Sequence, residues 1–150
     1  MDLQLKTKYS GDVEVDDRQL IEFPQGIPSF ENERIFAILP FGTEPNPFYI
    51  LQSVMTPELA FVMADPFPFF PDYQVTLSDS TIEQLEVKKE TDVTIYTVLT
   101  VKDPFNESTA NLRGPIVIHE GKQTGKQILL QDEKYHTRHR FVIITSSEVR

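Results

Sequence analysis

The sequence predicts an all-β fold, one small sandwich or barrel with one short helix at about residues 80–86. Three observations carry this. Outside one segment, apolar residues recur with period two or in short solid runs rich in Val, Ile, Phe, Tyr and Thr, bounded by Pro, Gly and Asn, as half-buried or fully buried strands require. About nine such runs occur, which suits one small sandwich or barrel. The 150-residue chain fits a single domain spanning 1–150, long enough to bury roughly two thirds of its surface without staples.

In chain order the first strands are "LQLKTKY" (3–9), "RQLIEF" (18–23), "RIFAIL" (34–39), "FYILQSV" (48–54) and "LAFVMA" (59–64). The helix follows in "SDSTIEQLEV". Ser80 sits three residues before Glu83, as in a capping box, and Ile82, Leu85 and Glu86 have helical spacing. The later strands are "VTIYTVLTV" (93–101), "IVIH" (116–119), "QILLQ" (127–131) and "RFVIIT" (140–145). The polar "EGKQTGK" between "PIVIH" and "QILLQ" reads as a hairpin connection. It is not a phosphate loop: three residues rather than four separate Gly121 from Gly125, and Gln127 follows Lys126 where a hydroxyl residue must reach magnesium. Ahead of "PIVIH", "TANLRG" is expected to form a structured loop, with turn chemistry from Asn111 and Gly114 and a helix stop at Pro115.

Bulk composition removes several function classes. There is no cysteine, which excludes a disulfide framework and thiolate metal sites and suits a reducing compartment, so a cytoplasmic location is expected. The opening "MDLQLKTKYS" alternates like a strand rather than forming a signal peptide, and no stretch approaches the roughly 18 apolar residues of a membrane span. The net charge of −9 is uneven: residues 1–112 hold 7 basic and 19 acidic residues, net −12, whereas the remainder hold 7 and 4, net +3. Such a surface repels a phosphate backbone, so direct nucleic-acid binding is not expected, while a basic partner would be attracted.

No catalytic motif is present: there is no G-x-S-x-G, no H-E-x-x-H and no Cys nucleophile. His136 and His139 stand three residues apart in "YHTRHR", but Arg138 and Arg140 add repulsive charge and no acidic cluster completes a metal site. Asp65 and Asp72 flank a proline-rich stretch and read as turn formers. Between them, "DPFPFFPDYQ" holds Pro66, Pro68 and Pro71, which fix φ and remove amide donors, so the stretch runs extended and cannot be a central strand. Its aromatics, Phe67, Phe69, Phe70 and Tyr73, either plug the end of the β core or present surface anchors to a partner. Glu83, Glu86 and Glu90 form an acidic ledge along the helix and its exit, a solvated face or a docking surface. Arg113, with its planar guanidinium, is expected to pair with a structural carboxylate or with a partner.

The segments "FPQGIPSFENERIF", "PFYILQS", "LAFVMADPFPFFPDY", the helix after "LSDS", "TANLRGPIVI" and "GKQILLQDEKY" occur in this order. Together, from about Phe23 to Tyr135, they resemble the FliW family of flagellar assembly factors. Two positions depart from the family pattern: Ser29 stands where Gly is common, and His119 where Asn is usual. The resemblance implies a β-barrel-like protein without enzymatic activity or cofactor. It would bind cytoplasmic flagellin and, once flagellin is exported, bind the RNA-binding translational regulator CsrA and relieve repression of the flagellin message. Two alternatives stay open on the residues alone: a flagellin-binding export chaperone without a regulatory role, and a small β-barrel enzyme using His136 or His139 as a base. Phe67, Phe69, Phe70, Tyr73, Glu83, Glu86, Glu90, Asn111 and Arg113 are the partner-binding candidates.

Overall fold

A computed structural model describes residues 2–42 and 46–141. Its first unit is a hairpin of β1 (Asp2–Lys6) and β2 (Asp12–Asp16), reversed at Gly11 with φ 66°. A capped 3-10 turn at Asp17–Gln19 leads to β3 (Leu20–Glu22), then β4 (Ile35–Pro40), β5 (Phe48–Ser53) and β6 (Ala60–Ala64) follow as an antiparallel meander. After the helix come β7 (Val93–Thr100), β8 (Thr109–Ala110), β9 (Ile116–His119), β10 (Thr124–Gln127) and β11 (His139–Arg140).

Seven of these strands close on themselves. The order β7-β6-β5-β4-β3-β10-β9 returns to β7 through four antiparallel pairs from Val93↔His119 to Tyr96↔Ile116. The weakest seam is β3 to β10, parallel and joined at Thr124↔Glu22. Side-chain alternation then sorts the core into two layers. Every barrel strand sends residues into the interior: Ile21, Phe36, Leu51, Met63, Tyr96, Ile116 and Ile118 meet Phe23 there, and Gly125 of β10 faces the Phe23 ring. The opposite faces of β4–β7 carry Ala37, Leu39, Ile50, Val62, Ala64 and Leu99, covered by Leu5 and Val15 of the first hairpin and by Tyr73, Leu112, Leu130, Tyr135 and Phe141.

Several expectations shift. The strand expected at 3–9 ends at Lys6 because the chain turns, with the Thr7 hydroxyl donating to the Gly11 carbonyl at 2.6 Å. β2 was not expected: "DVEVD" alternates, but only Val15 is buried, and Asp and Glu, which strands disfavour, fill three of its five positions. The hairpin across 116–131 is present, but its second strand is Thr124–Gln127 rather than 127–131, with the turn at Glu120–Gln123. Gly125 belongs to this strand because a Cβ there would lie 2.8 Å from Phe23 Cζ. Of the last expected strand only its start is paired; residues 142–145 lie outside the described residues.

The helix, α1, runs Asp79–Leu85 rather than 80–86, and its cap is Ser78, not Ser80. Ser78 is extended and its Oγ accepts from the Thr81 amide at 3.2 Å, so Ser80 already lies inside the first turn. Glu86 ends the helix in the left-handed region at φ 55°, its N–H donating to the Glu83 and Ile82 carbonyls. Ser29 likewise adopts φ 74°, so this position does take the positive φ that Gly adopts freely. Its amide donates to Glu31 Oε2 at 2.7 Å, which offsets part of a strain of about 1 kcal/mol.

Candidate functional site

A groove of about 880 Å³ lies beside α1. Its walls are the exit of β6 (Asp65, Phe67), the stretch 74–77, Ile82 of α1, the loop from Val87 to Glu90, and the first residues of β7 (Val93–Ile95). The helix separates two environments by simple i to i+4 geometry: Thr81 and Leu85 are buried, while Ile82 on another face is 37% exposed and lines the groove. Leu85 also borders a smaller cavity of about 150 Å³ with Gly26 and Gly125. Asp92 anchors the loop, its Oδ2 accepting from the Lys88 and Lys89 amides at 2.8 and 3.1 Å. The Lys88 amide is the first cause of an Asp92 carboxyl pKa below the ordinary value; burial opposes it.

The proline-rich segment divides its aromatics between structure and surface. Phe67 is 41% exposed and lines the groove, its amide donating to Asp65 Oδ1 at 3.1 Å, so Asp65 is the turn former expected. Phe69 is clamped between Phe48 and Phe141, with ring centroids 5.9 and 5.1 Å away, and Phe70 lies edge-on to His139 at 6.1 Å. Tyr73 is buried against Tyr135 at 4.9 Å, and its hydroxyl donates to the Leu112 carbonyl at 2.5 Å. Burial, then the neighbouring Tyr135, pushes the Tyr73 phenol well above its ordinary pKa.

The acidic ledge splits too. Glu83 is exposed on α1, Glu86 faces Lys122 at 3.7 Å, and Glu90 lines the groove beyond the helix. Asn111 acts locally, its Oδ1 accepting from the Gly114 amide at 2.9 Å, as expected of a turn former. Arg113 is half-buried and reaches no carboxylate among the described residues; its Nη1 donates to the Tyr135 carbonyl at 3.3 Å. It therefore ties the "TANLRG" loop to the segment that carries Tyr135. The structure thus brings Phe67 and Glu90 to one groove and leaves Asn111 and Arg113 in a separate structural cluster.

The histidines do not form a reactive pair. His136 and His139 stack at 5.1 Å, and His139 Nε2 accepts the His136 backbone amide at 2.7 Å, which occupies the lone pair that a base or ligand would use. Burial and the nearby His136 lower the His139 pKa. His119 is buried with Nδ1 accepting from the Lys122 amide at 3.2 Å, so it closes the β9–β10 turn. No group of three or more metal-ligating side chains occurs among the described residues, and none of their helices is long and apolar enough to cross a membrane. Sequence reasoning missed most of the groove wall: Val75, Leu77, Val93 and Ile95. The only signal for it was the alternation in "QVTL".

Comparison with known proteins matches this architecture closely. A family model described as "FliW protein" matches residues 4–141. Flagellar assembly factors FliW of Geobacillus kaustophilus and Geobacillus thermodenitrificans are each 49% identical over 138 residues, covering 92% of this chain and 94% of theirs. That of Shouchella clausii is 48% identical over 133 residues, covering 89% and 90%. Among solved structures, a crystal structure of the flagellar assembly factor FliW has a TM-score of 0.86 at 48% identity and covers 92% of this chain and 96% of that one.

Proposed function

Because the chain belongs to the FliW family of flagellar assembly factors, we propose that it serves flagellar assembly in the cytoplasm as a non-enzymatic binding protein that exchanges two partners. It holds flagellin before export. When flagellin leaves, it captures the RNA-binding regulator CsrA and lifts repression of flagellin translation. The family match over residues 4–141 is the observation that carries this reading.

Physical features support it. The barrel interior is filled by its own side chains, so function falls to the outer surface. The net −12 over residues 1–112 favours a basic partner and disfavours that partner's RNA. Phe67 and Glu90 share one groove, where an apolar contact and an electrostatic one overlap, and overlap makes the two partners exclude each other.

Titrating CsrA against this protein at rising flagellin concentrations tests the exchange. Overlapping sites raise the apparent dissociation constant without a plateau; a plateau means finite coupling between separate sites, which linkage requires to be equal in both directions. No effect of flagellin on CsrA binding sinks the exchange and leaves a flagellin-binding export chaperone. Failure of both proteins to bind refutes the reading altogether. Replacing Glu83 and Glu90 by Gln is expected to slow CsrA association and flatten its salt dependence.

A further inference from the structure

The groove contains an open sheet edge. Successive residues of a strand aim their backbone groups alternately at one neighbour and the other. The Asn111 amide donates to the Val98 carbonyl on the β8–β9 side of β7, so Thr94, Tyr96 and Val98 face that side. Val93, Ile95 and Thr97 face β6. But β6 pairs only as far as Ala64↔Thr97. The residue that would come opposite Ile95 is Pro66, which has no N–H, and its carbonyl already accepts the Phe69 and Phe70 amides at 3.0 and 2.8 Å. The Val93 N–H is taken by the Glu90 carbonyl. Three groups therefore face the groove without a partner among the described residues: the Val93 C=O and the Ile95 N–H and C=O.

The opposite wall repeats the feature. Residues 74–77 lie outside any regular element, yet Val75 and Leu77 are half-buried and Gln74 and Thr76 exposed, the alternation of a strand. The Gln74 amide donates to the Tyr135 hydroxyl at 2.9 Å, yet the backbone groups of Val75, Thr76 and Leu77 make no hydrogen bond among the described residues. Two strand-like edges thus flank a groove whose apolar side chains are Phe67, Val75, Leu77, Ile82, Val87 and Ile95.

We propose that this groove takes an extended peptide segment of a partner protein, added as a strand against Val93–Ile95 and continuing the ladder that β6 leaves at Pro66. A helix or a rounded small molecule would cover the apolar walls but leave the backbone groups unpaired, which is costly away from water; a strand satisfies them and places alternate side chains on the walls. A segment antiparallel to β7 starts beside Asp65, which suits its N-terminal end, and ends beside Lys88 and Lys89, whose ammonium groups are balanced by Glu90 and Asp92. The occupant therefore carries apolar residues at alternate positions and runs antiparallel to β7. This rests on the backbone geometry of the groove in which the two partners were proposed above to overlap, and its test is read with neither flagellin nor CsrA present.

The test uses the full chain, isotopically labelled, and a library of roughly seven-residue peptides, about the length of a strand. Its members have Val, Ile or Leu at alternate positions and Thr or Gln between them. Members are expected to bind, to slow amide exchange at Ile95 by about tenfold or more with little change at the already paired Thr94, and to lose binding when their central amides are N-methylated. Absence of binding across the library overturns the proposal. So does equal binding of the N-methylated peptides, or unchanged exchange at Ile95.

Discussion

Replacing Gly125 by Ala tests the assignment of the barrel interior directly. A Cβ at this position would lie 2.8 Å from Phe23 Cζ, 2.9 Å from Phe23 Cε2 and 3.2 Å from Ile21 Cγ2. Carbon atoms settle at about 3.5–4.0 Å, so the ring must retreat by most of an ångström. It has nowhere to go: Phe23 is fully buried and meets Phe36 edge-on at 5.4 Å. Overpacking of this kind costs about 1–3 kcal/mol, which for a chain of this length lowers Tm by roughly 2–4 °C per kcal/mol. Urea denaturation measures the loss, with Gly121→Ala as the control, where the nearest atom to a new Cβ is His119 Cε1 at 3.3 Å in an exposed turn. Adding Phe23→Leu supplies the decisive comparison. If the clash is with the ring, the double variant loses less than the sum of the single losses, by about 0.5 kcal/mol or more. A Gly125→Ala protein as stable as its parent, or strictly additive losses, would refute the packing argument.

Ser78→Ala is expected to cost about 1 kcal/mol and Ser80→Ala less than about 0.5 kcal/mol; equal losses in urea denaturation would mean that Ser78 does not cap α1. Thr97 Oγ1 is buried without a hydrogen-bond partner, so the near-isosteric Thr97→Val is expected to gain about 1 kcal/mol, and a loss of that size would show that the hydroxyl has a partner. Burial raises the phenol pKa of Tyr73, with help from Tyr135, and that of Tyr96, with help from Glu120, Tyr49 and Asp65. Above the unfolded tyrosine pKa of about 10 the unfolded chain releases protons that the folded chain keeps, so stability is full below that pH and falls as pH rises beyond it. Tyr73→Phe should make the fall shallower, and an unchanged slope above pH ~10 would exclude Tyr73 as a contributor.

Strand content was legible because the runs around Phe36, Leu51, Met63 and Tyr96 are short, apolar and rich in Val, Ile, Phe and Tyr between turn residues, and such composition is a local property. The barrel was legible only as a class, since its closure depends on β9 meeting β7, a pairing between residues such as Ile95 and Val117 that no local pattern encodes. β2 was hidden because its carboxylates face solvent on both sides of one buried Val15. β10 was displaced because Gly125 signals a turn when read alone, and becomes a strand residue only once Phe23 needs the space above it. The helix cap slipped by two residues because Ser78 and Ser80 offer the same hydroxyl, and the choice falls to whichever is extended and reaches the Thr81 amide. Among the site candidates, composition could name the aromatic segment but not which ring stays outside. That depends on Phe48 and Phe141 enclosing Phe69, and on Leu112 offering its carbonyl to Tyr73.

The proline-rich segment is what joins fold and surface. Pro66 ends β6 because it lacks the N–H that the next rung of the ladder needs, and its carbonyl turns back to Phe69 and Phe70. Those two rings and Tyr73 then fasten the departing chain to the outer core layer, which leaves Phe67 facing the gap. Held at Tyr73, the chain runs along residues 74–77 to the Ser78 cap, so the far wall of the groove and the start of α1 are fixed by the same anchor. The open edge of β7 is therefore a consequence of one proline and three packed rings rather than of a loose end. A ligand entering there meets a site whose walls are set before it arrives, so little ordering is lost on binding. Residues that hold the groove open (Pro66, Phe69, Tyr73) are then distinct from the more exposed ones that touch its occupant (Phe67, Ile82). Substitutions in the first set should change stability and binding together, and those in the second binding alone.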